Sequence, residues 1–167
     1  FECIIVDDGS TVPTLSIIKP FLAKHPNCRL YQHPRNLGKG CAIRTGFKHA
    51  KGDYILIQDA DMEYSPSDIP KLLAPVRKFG VKVVYGSRFL DGNRDYNKAH
   101  LSANIFLTKF TNWILKTRLT DMETGYKLIS REVFSKFSLK GQSFEIEPEM
   151  TLQIVSNGYN IIEVPIS

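Results

Sequence analysis

ECIIV, residues 2–6, is apolar at almost every position and rich in β-branched side chains. A strand that shows hydrocarbon on both faces must be covered on both, which happens in parallel sheets flanked by helices. Comparable runs return at CRLYQH (28–33), DYILIQ (53–58) and VKVVYG (81–86). Between them the spacing turns helical. TLSIIKPFLAKH (14–25) sets Leu15, Ile18 and Leu22 on one face, and Gly38 and Gly40 open a helix to about Lys51. Ser65 and Pro66 start another that runs to about Phe79, with Pro near the first helical position. Strand and helix alternating through short connections predict a three-layer α/β/α domain with a mainly parallel sheet. Such sheets bind ligands at the carboxyl ends of their strands, where Asp7-Asp8 and Asp59-x-Asp61 fall. After Gly86 the rhythm changes to a polar loop (88–98), a long helix (about 99–117), an irregular segment DMETGYK (121–127), helices near Arg131 and Glu149, and a last strand YNIIEV (159–164).

With 167 residues, 43% of them hydrophobic, the chain is expected to form one globular domain with a sizeable core. The net charge of +5 is unevenly spread: residues 1–50 carry seven Lys/Arg against three acids, and residues 141–167 carry four acids and no base. This balance suits an anionic small molecule or a membrane surface, and equally an ordinary solvated surface. Nucleic acid is not expected as a partner, because no basic stripe alternates with aromatics for base stacking. Cys3, Cys28 and Cys41 are widely spaced among apolar or small neighbours and read as buried thiols of a reducing compartment. No apolar run approaches the roughly 20 residues that span a bilayer.

The acids of IQDADMEY (57–64) carry the chemistry. Like charges as close as Asp59, Asp61 and Glu63 repel unless a cation sits among them. Carboxylates are the hard oxygen ligands that Mg²⁺ and Mn²⁺ prefer, and two of them leave positions that a diphosphate can fill. The same acids also suit the N-terminus of the helix that follows.

VDDGS (6–10), NLGKGCAIRTGF (36–47), GDYILIQDADMEY (52–64) and YGSRF (85–89) together resemble the family 2 glycosyltransferases, nucleotide-sugar enzymes with the Rossmann-like type A fold. DMETGYKLISREVF (121–134), FEIEPEM (144–150) and GYNIIEVPIS (158–167) resemble the branch that loads sugars onto polyprenyl phosphates, the dolichol-phosphate mannosyltransferases among them. The resemblance implies a nucleotide-sugar and metal half (1–90) and an acceptor half (91–167). It implies inverting transfer of a hexosyl group from GDP-mannose or a UDP-hexose to a polyprenyl phosphate, with Mg²⁺ or Mn²⁺, at the cytoplasmic face of a membrane.

Residue by residue, the resemblance puts Asp7 and Asp8 at the nucleotide, Asp8 reaching the base. A carboxylate can accept the ring N–H of uracil or guanine, although an Asp-Gly pair also makes an ordinary tight turn. Lys39 sits near a helix start that favours anions, and its neighbouring glycines also suit the turn alone. Asp59 and Asp61 carry over as the metal pair, with Ala60 between them at the nucleotide and Glu63 as a third candidate ligand. Arg88 and Lys127 carry over as cations for the acceptor phosphate or the departing diphosphate, a task that suits the guanidinium fork. Tyr126, Leu128 and Ile129 also fit a core strand.

A phosphate acceptor is already anionic and needs little help from a base. A glycan hydroxyl acceptor requires one, from Glu145, Glu147, Glu149 or Asp121. A third reading is a nucleotide-sugar-binding domain without turnover. In AHLSANIFLTKFTNWILK (99–116), Phe106, Phe110, Trp113 and Ile114 fall at helical spacing near Lys109 and Lys116, which fits a membrane-surface helix as well as a core helix. Family members begin with a further strand and a nucleotide-holding loop, the strand lying between those at 2–6 and 53–57. A gap or a re-paired sheet is therefore expected, in a chain that reads as incomplete at both ends.

Overall fold

The computed structural model describes residues 1–11, 13–61, 63–90, 98–143 and 145–167. Contacts gather these into two units, Phe1–Gly52 with Leu139–Ile146 and Asp53–Ser138 with Glu147–Ser167.

The first unit runs β1 (Cys3–Asp7), α1 (Thr14–Lys24), β2 (Cys28–Gln32) and α2 (Lys39–His49). β1 and β2 pair in parallel, Cys3 opposite Cys28 and Asp7 opposite Gln32. On α1, Leu15, Ile18 and Leu22 are half-buried while Ile17 and Phe21 face outward. ECIIV is half-buried, not covered on both faces, and β1 has only β2 beside it among the described residues. The three cysteines are free and likewise half-buried, which corrects the expectation of buried thiols.

The second unit holds β3 (Tyr54–Leu56), a 3₁₀ turn (Pro66–Asp68), α3 (Ile69–Phe79), β4 (Val83–Ser87), α4 (Lys98–Leu115), β5 (Lys127–Ser130), α5 (Arg131–Phe134), α6 (Ile146–Ser156) and β6 (Ile162–Pro165). The Ser65 hydroxyl accepts from the Ser67 N–H at 3.3 Å and starts the 3₁₀ turn and α3, as the Ser-Pro signal predicts. Gly80 ends α3 in the left-handed region at φ 65° and returns its N–H to Val76. The sheet order is β3-β5-β4-β6. The β1–β2 and β4–β6 pairings are parallel, and β5 enters antiparallel between β3 and β4, which the alternating pattern does not foretell. With a strand on each side, β4 and β5 are buried along their whole length. Tyr64, Leu72, Val84, Tyr126, Leu128 and Ile166 form a core cluster.

Where a further strand is expected between 2–6 and 53–57, the described residues supply none: β1 pairs with β2, and β3 with β5. Most of the polar loop expected over 88–98 lies outside the described residues. Among those described, no helix is long and apolar enough to cross a membrane.

Candidate active site

The expected site residues divide between the units: Asp7, Asp8 and Lys39 in the first, Asp59, Ala60, Asp61, Glu63, Arg88 and Lys127 in the second. In the first unit, Asp7 ends β1 and accepts from the Ser10 N–H at 2.9 Å and from Gln32 Nε2 at 3.2 Å. These bonds, led by Ser10, hold its carboxyl below the usual range. Asp8 is committed more fully. Its oxygens accept the N–H groups of Leu37 (2.9 Å) and Gly38 (2.7 Å), and His33 Nδ1 lies 2.6 Å away. Burial pushes the Asp8 carboxyl up, but the bonds from His33, Leu37 and Gly38 outweigh it and hold the group below the ordinary value.

The loop that Asp8 holds is the start of α2. Gly38 sits at φ 94°, and a Cβ there would come within 2.0 Å of the Gln142 carbonyl, so only glycine fits between Asp8 and residues 141–143. Lys39 follows as the first residue of α2, half-buried. An open cavity of about 580 Å³ lies along this loop, lined by Arg35, Asn36, Leu37, Gly38, Cys41 and Gln142 among others. A second, about 490 Å³, is lined by Asp53, Tyr54, Lys82, Ser130 and Arg131 among others, at the end of β3 opposite Asp59, and holds none of the expected site residues.

In the second unit the β3 ladder is prolonged by the Ile57 N–H, which donates to the Lys127 carbonyl at 3.2 Å. Asp59 follows half-buried; Ala60, Asp61 and Glu63 are exposed. Asp61 Oδ1 accepts the Glu63 N–H at 3.1 Å. Among the described residues no three His, Cys, Asp or Glu side chains converge on one point, so Glu63 is not gathered with Asp59 and Asp61 into a ready-made cage. The Gly125 backbone lies close to Asp59. A Cβ on Gly125 would stand 2.7 Å from Asp59 Oδ2 and 3.0 Å from the Tyr64 ring. The Gly125 N–H donates to the Tyr64 hydroxyl at 2.9 Å, and the Tyr64 and Tyr126 rings stack with centroids 5.0 Å apart. Tyr126 in turn donates to Gln58 and to the Ser65 carbonyl. The TGYK segment is thereby laid against the Asp59 turn from more than sixty residues away.

Arg88 follows β4 and grips Asp121 with two parallel bonds, Nε to Oδ2 at 2.7 Å and Nη2 to Oδ1 at 2.9 Å. Its guanidinium also lies 5.7 Å from the Tyr64 ring centre, which ties the pair to the Asp59–Gly125 contact. Asp121 is fully buried and Arg88 is 18% exposed. Lys127 lies elsewhere than expected. Its side chain is fully buried, with the ammonium against Glu147 and the carbonyls of Met122 and Thr124. The expectation that Lys127 meets an acceptor phosphate is corrected accordingly: it ties the 122–124 turn to α6.

Reading the sequence missed two contributors, Tyr64 and Glu123. Tyr64 bridges the acids to the TGYK segment through the Gly125 N–H, a link that no local spacing encodes. Glu123, inside DMETGYK, is half-buried, and burial pushes its carboxyl up. Its signal was simply an acid beside Asp121 in a segment already singled out.

Comparison with known proteins gives this arrangement its context. The chain is 29% identical to a dolichyl-phosphate beta-glucosyltransferase of Trichomonas vaginalis over 99% of its own length and 52% of the relative's. It is 30% identical to a low-salt glycan biosynthesis hexosyltransferase of Haloferax volcanii, covering 98% of this chain and 39% of that one. The chain thus spans about half the length of the first relative, and less of the second. Among solved structures, glucosyl-3-phosphoglycerate synthase from Mycobacterium tuberculosis superposes with a TM-score of 0.74 at 20% identity, over 99% of this chain and 59% of that one. A mannosyltransferase from Pyrobaculum calidifontis, in complex with GDP-Man and Mn²⁺, superposes at 0.68 with 19% identity, over 98% of this chain and 45% of that one. These likenesses show the α/β fold of type A glycosyltransferases. The family model for glycosyl transferase family 2 matches residues 1–138, and the chain belongs to that family.

Proposed function

We propose that this chain is the catalytic domain of an inverting, metal-dependent transferase that moves a hexosyl group from a nucleotide sugar to a polyprenyl phosphate. The observation that carries the reading is the contact of Asp59 with the Gly125 backbone, which sets the candidate metal acids against the segment resembling the acceptor region. Two exposed or half-exposed carboxylates on one turn form a hard-oxygen donor set that fits Mg²⁺ or Mn²⁺. Asp59 and Asp61 would hold the ion, which when bound would offset charge on the leaving diphosphate. Asp7, Asp8 and Lys39 would serve the nucleotide, Asp8 chiefly by fixing the 33–38 loop. Arg88, oriented by Asp121, would present positive charge near the reacting centre. Mn²⁺ with UDP-glucose or GDP-Man in the named complexes of structural neighbours supports the donor class, without choosing the base.

The fate of three of the four candidate bases supports a phosphate acceptor. Asp121 is spent on Arg88, Glu147 on Lys127, and Glu145 caps the N–H groups of Gln142 and Ser143. One observation favours the hydroxyl alternative: burial pushes the Glu123 carboxyl up, the direction that makes a carboxylate a better proton acceptor. The test is transfer to short polyprenyl phosphates and to free sugars, with Asp61→Asn as the control. Asp61→Asn should lower transfer on the order of 100-fold with the fold intact. Most activity retained with Mn²⁺ or Mg²⁺ present would remove the metal assignment, and product found only on sugar hydroxyls would remove the acceptor.

A further inference from the structure

The inward face of α4 is polar. Asn104 Nδ2 donates to Asp121 Oδ1 at 3.0 Å, and the Thr108 hydroxyl donates to Asn104 and accepts from the Met122 N–H. Asn112 grips both the N–H and the carbonyl of Leu119, at 2.9 and 2.8 Å. The outward face is apolar: Phe106 is 68% exposed, Phe110 49%, Trp113 77% and Ile114 51%. Phe110 lies between the other two rings with centroids 6.3 Å from each, so the three make one continuous strip. This inverts the usual amphipathic surface helix, whose apolar side turns to the core.

The charges beside the strip have one sign. Lys109 and Lys116 are exposed along its flank, Arg118 is exposed just beyond, and no acid occurs between residues 104 and 118. Aromatic rings that prefer the membrane–water boundary, bordered by long cations that can reach phosphates, match a bilayer of anionic lipid in both shape and charge. We propose that this face of α4 docks on an anionic lipid surface. Docking does not depend on the acceptor proposed above. Its inner side holds Asp121 and through it Arg88, so the docked helix would keep that pair about one helix diameter, roughly 10 Å, from the lipid.

Trp113 is the one tryptophan of the sequence and reports directly. With phosphatidylcholine vesicles containing about 30% phosphatidylglycerol, at up to roughly 1 mM lipid, its emission should shift to the blue and lose access to acrylamide. Lys109→Glu with Lys116→Glu should weaken partitioning at least about tenfold on those vesicles. Phe106→Ser with Phe110→Ser should weaken it on neutral vesicles too. An unchanged Trp113 spectrum, or binding indifferent to both pairs of substitutions, overturns the proposal. So does a Trp113 already shielded without vesicles in a species that light scattering shows to be dimeric, since a second copy would then cover the strip. Transfer to a soluble short-chain acceptor without vesicles tests the enzymatic reading separately.

Discussion

Lys127→Met separates the buried-keystone role from the acceptor role that the sequence suggests. Methionine keeps most of the aliphatic stem and removes the ammonium, leaving Glu147, 3% exposed, and the carbonyls of Met122 and Thr124 without their donor. Breaking one side of a buried ion pair costs about 3–5 kcal/mol, because the remaining charge stays desolvated. For a chain of this length that loss lowers Tm by roughly 6–20 °C, at about 2–4 °C per kcal/mol. Lys127→Met with Glu147→Leu removes both charges and should recover most of the loss, so the cycle should show a coupling energy at least as large as the loss in either single variant. Urea unfolding of wild type, both single variants and the double variant closes the cycle. Should Lys127→Met unfold within about 1 kcal/mol of wild type while the KM for polyprenyl phosphate rises selectively, the keystone argument is wrong and the lysine does face the acceptor.

Two further substitutions probe the site. Asp8→Ala leaves the Leu37 and Gly38 N–H groups without an acceptor, and should cost about 1–3 kcal/mol and weaken nucleoside diphosphate binding in calorimetry. Because the Asp8 carboxyl is held below its unfolded value, its contribution is whole above about pH 4 and fades as pH falls through the lower folded value. Wild-type stability in urea should therefore fall more steeply than that of Asp8→Ala below that pH, and parallel curves would refute the assignment. Gly125→Ala drives a Cβ to 2.7 Å from Asp59 Oδ2, so the carboxylate must swing away. Stability should drop by at most about 1–3 kcal/mol, while Mn²⁺ affinity and transfer fall together; unchanged metal affinity would disprove the contact's role.

How much of this was readable depended on the range of the interaction. The start of α3 at Ser65-Pro66 and its end at Gly80 are local chemistry, and the spacing gives both. β4 is continuously apolar and is fully buried, whereas ECIIV, equally apolar, is half-buried, since burial depends on neighbours that a strand's own residues do not specify. The motif offers Lys127 as a phosphate cation, a basic residue after Gly-Tyr; its burial rests on Glu147, Met122 and Thr124, partners that the motif does not specify. The aromatic spacing of α4 fitted core and membrane surface alike. Asn104, Thr108 and Asn112, on the opposite side, decide which face packs, through bonds to residues 119–122.

The insertion of β5 also has a consequence for synthesis. β3 and β4 lie next to each other in the chain, yet neither bonds to the other, and both wait for residues 127–130. The first unit is likewise completed late, by Leu139–Ile146, whose Gln142 carbonyl receives the Gly40 N–H. A nascent chain emerging from the ribosome therefore carries open strand edges until residues 127–146 have been made. Such edges can pair with other chains, so this topology exposes the growing polypeptide to edge-to-edge association during translation.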